Sequence, residues 1–376
     1  MENNRIINAI LMTVGILLVS PFFVYAYDDK TTHPALTNET VKFFNNKYPE
    51  LQLADKDKSI LTKGSIDEDK GARALHHFYD PIYNRGITMF GIEWQKSKEW
   101  TKDTLSQASY SFDVVSNPTE RIFYGTVREF FGADSDYSWE RAIYEYTWGD
   151  RKRGLESLGH VLHLIQDSSV PDHTRNDPHP PAFHFGSPYE KWTDQFDINT
   201  INVFDKVKNK DTILYKTLDD YFDSIANYSN NNFFSKDTIF SEEYENPKIT
   251  DDIIWKKLSD GQFYQFIENK EGGLLLLTGS RRFGSVQPEK TIEDKDRLIL
   301  SDYWNLLSQQ AVLHGAGVVK LFFDEAEKEK QTKILYNKNK NWFQKIFDFT
   351  QKSIYNTATA FYGGSVPYGE LADDST

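Results

Sequence analysis

The chain has 376 residues, 39% hydrophobic and 26% charged, and contains no cysteine. A chain this long can bury a large core, and the missing thiols exclude a disulfide-stapled mini-domain, a thiol enzyme and a cysteine-ligated zinc finger. Its 56 acidic residues outnumber 43 basic ones for a net charge of -13, which argues against a general basic surface for nucleic acid, while 15% aromatic content marks a folded protein.

Residues 6–26, IINAILMTVGILLVSPFFVYA, follow a short polar start containing Arg5 and end with Val24 and Ala26 where a signal peptidase favours small side chains. The run reads as a signal peptide cut before Tyr27, which makes the protein secreted or periplasmic. The alternative is an uncleaved helix that anchors it to the membrane, since the run is long enough to span a bilayer.

Beyond this segment helical patterning dominates. TNETVKFFNNKY, from Thr37 to Tyr48, reads as a capped first helix, and a polar break falls at Ser116-Asn117-Pro118. In RGLESLGHVLHLIQD, Leu155, Leu158, Val161, Leu162 and Ile165 recur at helical spacing, and Pro171 stops the helix soon after Asp167. Residues 197–250 are rich in Asn, Asp and Ser, and EGGLLLLTGSRRFGS after them reads as a loop or lid. LILSDYWNLLSQQAVLHGAGVVKLFF, residues 298–323, predicts a second apolar helix in which Gly315, Ala316 and Gly317 allow close packing. Strand-like alternation is scarce. The expected fold class is therefore all-α, with one multi-helix domain over residues 27–327 and a tail at 328–376. In that tail, NWFQKIFDFTQKSIY places apolar residues from Trp342 to Ile354 on one broad helical face, suited either to a membrane surface or to docking on the protein's own core.

Five of the nine histidines, His160, His163, His173, His179 and His184, crowd into 25 residues. With Asp167 and Glu190 nearby, this window holds the nitrogen and oxygen donors that zinc uses when thiolate is absent. His163 and Asp167 are four residues apart on a predicted helix, so both project from one face and can close on one ion. An isolated HxxxD also arises as a simple hydrogen-bonded pair; what sets this one apart is its company. His173 lies just past the helix stop, and Tyr189-Glu190-Lys191-Trp192 opens a new helix with a carboxylate in its first turn. Upstream, Asp67-Glu68-Asp69 precedes His76-His77-Phe78-Tyr79-Asp80-Pro81. By itself the acidic triplet reads as a solvated turn, with Glu68 a solvated neighbour. His33 in Thr32-His33-Pro34 reads as a loop histidine, His160 as a histidine that supports the ligands from behind or packs, and His314 as a satisfied core histidine.

Taken in order, Thr32-His33-Pro34, Gly64 to Asp69 followed by HHFYDP, LGHVLHLIQDSSVPDH, PYEKW and AVLHGAGVVKLFF resemble the bacterial zinc-dependent phospholipase C family, whose all-helical fold is shared with single-strand-specific zinc nucleases. The resemblance spans about residues 30–325 and implies a cluster of two to three zinc ions between helices. Asp69, His77, His163 and Asp167 would hold the first ion; His173, a further histidine and Glu190 the second; His33, Asp167 and the mature amino terminus the third. Asp167 would bridge two ions, and His76 would point away. The further histidine is His184 or its rival His179, because Pro188 and a six-residue gap separate His184 from Glu190. The family's amino-terminal tryptophan is absent, with Tyr27 in its place, and the tail is too short for the lipid-binding sandwich some relatives append.

This resemblance implies an exported zinc-dependent phosphodiester hydrolase, with a phospholipid as first-choice substrate and Asp69 as the catalytic carboxylate that orients or deprotonates water. The tail would supply contact with a membrane surface, and no stable nucleic-acid complex is expected. Two other readings remain: a nuclease preferring single strands, which needs aromatic platforms and a local positive groove, and an exported module whose zinc only holds helices together.

Overall fold

The computed structural model describes residues 30–89, 91–110, 135–178, 186–282 and 284–339. The signal segment, the new amino terminus, the break at Ser116-Asn117-Pro118, His179, His184 and the amphipathic stretch from Trp342 lie outside the described residues. The chain divides into two compact units, Met1–Asp103 with Tyr137–Lys328, and Thr104–Asp136 with Glu329–Thr376. Among the described residues no helix is long and apolar enough to cross a membrane.

In the first unit, α1 (Thr32–Lys47) starts five residues before the expected cap at Thr37, because Pro34 sits in the first turn, where its missing N–H costs nothing. His33 is therefore a helical residue, not a loop one. After α2 (Asp55–Asp67) and a short β1–β2 hairpin (Thr88–Met89, Ile92–Glu93) comes α3 (Ser97–Trp100). α4 (Thr104–Tyr110) belongs to the second unit, where the Ser135 hydroxyl donates to the Gln107 carbonyl at 2.8 Å. Back in the first unit, α5 (Trp139–Trp148) is capped by Ser138, and α6 (Arg151–Asp167) is capped by Asp150, whose carboxylate accepts the Lys152 N–H.

α6 is the centre of this unit. Every residue from Ser157 to Asp167 is buried, so the helix is enclosed rather than merely amphipathic. It packs on α2, α5 and α1. The crossing with α2 is set by two glycines: a methyl at Gly64 would meet the Glu156 carbonyl oxygen at 2.0 Å, and one at Gly159 would meet the Leu61 carbonyl oxygen at 2.2 Å. Backbone thus lies on backbone, and the segments after Gly64 and Gly159 deliver Asp69 and His163 to one place. Gly64→Ala is expected to force the helices apart and cost ~1–3 kcal/mol, read as a lower urea midpoint at unchanged slope.

Beyond α7 (Pro171–Thr174) and α8 (Pro188–Thr193) the polar stretch contains α9 (Phe204–Val207) and α10 (Leu218–Asn232), the latter opened by a Thr217–Asp220 capping box. Next comes the feature that overturns the all-α expectation. β3 (Ile249–Lys257), β4 (Phe263–Asn269), β5 (Leu274–Arg282) and β6 (Ser285–Thr291) form a four-stranded antiparallel meander in chain order. The segment read as a loop or lid is strand β5 and its turns. Gly261, Gly272 and Gly284 supply the positive φ that the connecting turns require. Pro288 lies in the edge strand β6 opposite Gly279, where the β5–β6 register shifts.

The unit closes with α11 (Leu298–Thr332), whose last residues are counted in the second unit. The expected close packing is present: a methyl at Gly317 would lie 2.1 Å from the Ile213 carbonyl oxygen.

Candidate metal centre

His33, Asp69, His77, His163 and Asp167 come from four different segments and meet inside the first unit, none more than 4% exposed. Asp167 is the hub. One of its oxygens, Oδ1, lies 3.2 Å from His33 Nε2, while Oδ2 lies 3.0 Å from His77 Nδ1 and 3.2 Å from His163 Nε2. Asp69 Oδ1 lies 3.6 Å from the same two nitrogens of His77 and His163.

The outer nitrogens define what the inner ones present. His163 Nδ1 donates to the Ser65 carbonyl at 2.6 Å, so its neutral ring carries the lone pair on Nε2, facing the carboxylates. Burial, with His33 and His77 beside it, pushes the His163 imidazole down to about 3, which keeps it neutral at physiological pH. His33 repeats the pattern. Gln166 donates through Nε2 to Thr37 at 3.0 Å, which leaves its Oε1 to accept from His33 Nδ1 at 2.7 Å. His33 Nε2 then faces Asp167 with its lone pair. The His33 and His163 rings stack at 3.6 Å, holding both in register.

Lone pairs of neutral imidazoles pointed at carboxylate oxygens repel unless a cation stands between them. Among the described residues no lysine or arginine pairs with Asp167, and neither of its oxygens accepts a hydrogen bond of good geometry. The triangle of His77 Nδ1, His163 Nε2 and Asp167 Oδ2 has sides of 3.3, 3.0 and 3.2 Å. A tetrahedral ion with ~2.0–2.1 Å bonds requires sides of ~3.3 Å. The donors are thus geometrically able to hold a metal ion. They fall into two groups, His77-His163-Asp167 and His33-Asp69-His163, each with ligand atoms within 4.8 Å of one another. In this division Asp69 stands with His33, whereas the resemblance sets it with His77.

A second pair adjoins the first. His173 Nε2 lies 3.1 Å from Glu190 Oε1, while His173 Nδ1 donates to the His77 carbonyl at 3.3 Å and the ring stacks on Phe78. Glu190 is placed by α8, where Ser187 caps the helix and accepts the Glu190 N–H. His184 and His179, the two candidates for a third donor here, lie outside the described residues.

The remaining histidines behave as the sequence suggested. His76 turns away to the Gln95 carbonyl and stacks on Trp100 at 4.0 Å. His314 is buried, with Nε2 3.0 Å from the Ser224 hydroxyl and Nδ1 2.9 Å from the Gln310 carbonyl. His160 stands behind the cluster and pairs with Glu68.

Glu68 is the correction. It is fully buried, not solvated. Its carboxylate accepts from Arg73 Nε at 2.8 Å, Trp100 Nε1 at 3.0 Å and His160 Nδ1 at 2.5 Å, and Oε1 lies 4.0 Å from His77 Nε2. Burial would raise this carboxyl, but the Arg73 guanidinium and His160 hold it well below the usual carboxylate range. This outer layer, with Ser65 and Gln166, was missed from sequence. The only available signal was position: Gln166 precedes Asp167, and Glu68 precedes Asp69.

If a metal ties these segments together, chelation must loosen them. Overnight EDTA treatment is expected to lower the melting temperature by several degrees, with recovery when zinc is restored, as followed by circular dichroism. No family model matches the chain, and no curated protein matches it.

Proposed function

We propose that this protein is an exported zinc-dependent phosphodiester hydrolase of phospholipase C type, with phospholipid as its substrate. The observation that supports it is the shared arrangement of His33, His163 and His173, each with Nδ1 on an acceptor oxygen and Nε2 aimed at a carboxylate. Zinc suits this nitrogen and oxygen donor set, and held here it would draw charge from phosphoryl oxygens and acidify water.

The chain's own residues then take separate tasks. Asp167, reaching His33 through one oxygen and His77 and His163 through the other, would hold metal on both sides of its carboxylate. His173 and Glu190 form a further donor pair, to be completed by His184 or His179. Asp69, at the longer 3.6 Å from His77 and His163, would orient an attacking water and accept its proton. Asp69→Asn is expected to keep most of the metal while turnover falls by ~10²–10⁴. Loss of metal from that variant would make Asp69 a ligand first.

A phospholipid is preferred to a nucleic acid because a net charge of -13 opposes a polyanion. The test is an assay of the purified protein on phosphatidylcholine vesicles and on single-stranded DNA. Headgroup release supports the proposal. Cleavage of DNA alone moves the protein to the nuclease reading, and full zinc content with neither reaction leaves a metal-stabilised module without turnover.

A further inference from the structure

The β3–β6 sheet buries one face and leaves half of the other uncovered. On the buried face Phe266 and Leu277 are directly paired and at most 2% exposed. The opposite face is fixed by register: Trp255 pairs with Gln265, Lys257 with Phe263, Ile253 with Ile267, and Arg281 with Val286. Near the base of this face Ile267 is covered, but further out Ile253, Trp255, Phe263 and Val286 are 54, 39, 45 and 47% exposed. Four large apolar side chains on one face are a patch that water disfavours, unlike single exposed residues elsewhere.

The charges beside the outer apolar side chains of that face are basic, while the exposed Asp251, two residues before Ile253 on the same strand, lies toward the other end. At its registered positions the ionisable residues are Lys257, opposite Phe263, and Arg281, opposite Val286. The Arg281 guanidinium lies 5.4 Å from the centre of the Trp255 ring, so cation and aromatic act as one unit. This is a local inversion in a chain of net charge -13. Trp and Phe beside Ile and Val, with Arg and Lys between them, match the layering of a lipid interface. There rings and aliphatic groups enter the acyl boundary while the cations stay among anionic headgroups. A base-stacking platform for single strands would use the rings but has no use for Ile253 and Val286.

We propose that this sheet face docks on an anionic phospholipid surface. The inference stands on the sheet and does not rest on the hydrolase reading, nor on the membrane contact expected of the carboxy-terminal tail.

The test is sedimentation of the full chain on ice with vesicles of phosphatidylcholine alone or with 30 mole per cent phosphatidylglycerol, ~30 being a conventional anionic load. Hydrolysis of bis(p-nitrophenyl) phosphate, a soluble phosphodiester, is read in parallel. The wild type is expected to bind the anionic vesicles, and the pair Trp255→Gln with Phe263→Gln to weaken that binding at least tenfold. Lys257→Gln with Arg281→Gln should abolish the preference for anionic lipid and its salt dependence. All variants should keep the wild-type melting temperature and whatever soluble-substrate rate the wild type shows. A protein that binds anionic vesicles without cleaving the soluble substrate would retain the docking surface while losing the hydrolase reading. Vesicle binding that is absent, or indifferent to both variant pairs, overturns the docking proposal. So does a wild-type dimer that the Trp255 and Phe263 changes dissociate, or single-stranded DNA binding that they abolish while vesicle binding persists.

Discussion

Asp167→Asn is expected to release at least one metal ion per chain and to reduce phosphodiester turnover by more than ~100-fold, the loss that outer-layer substitutions alone can reach at metal sites. The side chain keeps its size, so packing around α6 is preserved. What disappears is the negative charge facing His33, His77 and His163, and with it one of the two oxygens that reach toward different imidazoles. An amide nitrogen turned toward either side presents hydrogens to lone pairs and leaves no place for a cation. The same change relieves the repulsion in the empty cluster, so EDTA should lower the variant's melting temperature less than the wild type's. Metal content by plasma emission and the two melting curves decide the matter. Full metal with wild-type turnover would reduce the HxxxD pair to a structural contact and place the chemistry elsewhere.

His163 and Asp167 were legible as a pair because their placement is local, whereas His33, Asp69 and His77 were joined to them only by the resemblance. Four residues along a helix bring His163 and Asp167 to one face whatever the rest of the chain does, and Pro171 and Ser187-Pro188 punctuate the segments that carry His173 and Glu190. Glu68 was illegible for the opposite reason: its burial depends on Arg73, Trp100 and His160, brought together only by the fold. The sheet was hidden by its own core. Leu274, Leu275, Leu276 and Leu277 are all buried, so the start of β5 shows an unbroken apolar run instead of alternation, and the flanking glycines then suggested a loop. Read as turn residues, Asp260-Gly261, Gly272-Gly273 and Gly284 mark three hairpins in succession.

Glu68→Gln is expected to be the most destabilising conservative change in the first unit, by ~3–5 kcal/mol, because it strands the Arg73 guanidinium, itself only 5% exposed, without its anion. The amide can still accept from Trp100, so shape is kept and charge is what is tested. The pH dependence separates this from a packing defect. In the folded protein the Glu68 carboxyl is held below its ordinary value of 4.5, so the folded state favours the charged form. Its contribution is complete above that value and is lost as pH falls through it toward the folded value. The wild type should therefore lose stability steeply on acidification below about pH 4.5, and the Gln variant, weaker at pH 7, should lose less, so that the two converge in acid. Urea midpoints at neutral pH and at successive steps into acid provide the measurement. A gap between the two proteins that stays constant across that range would mean that the Glu68 charge does not stabilise the fold and that the loss comes from packing alone.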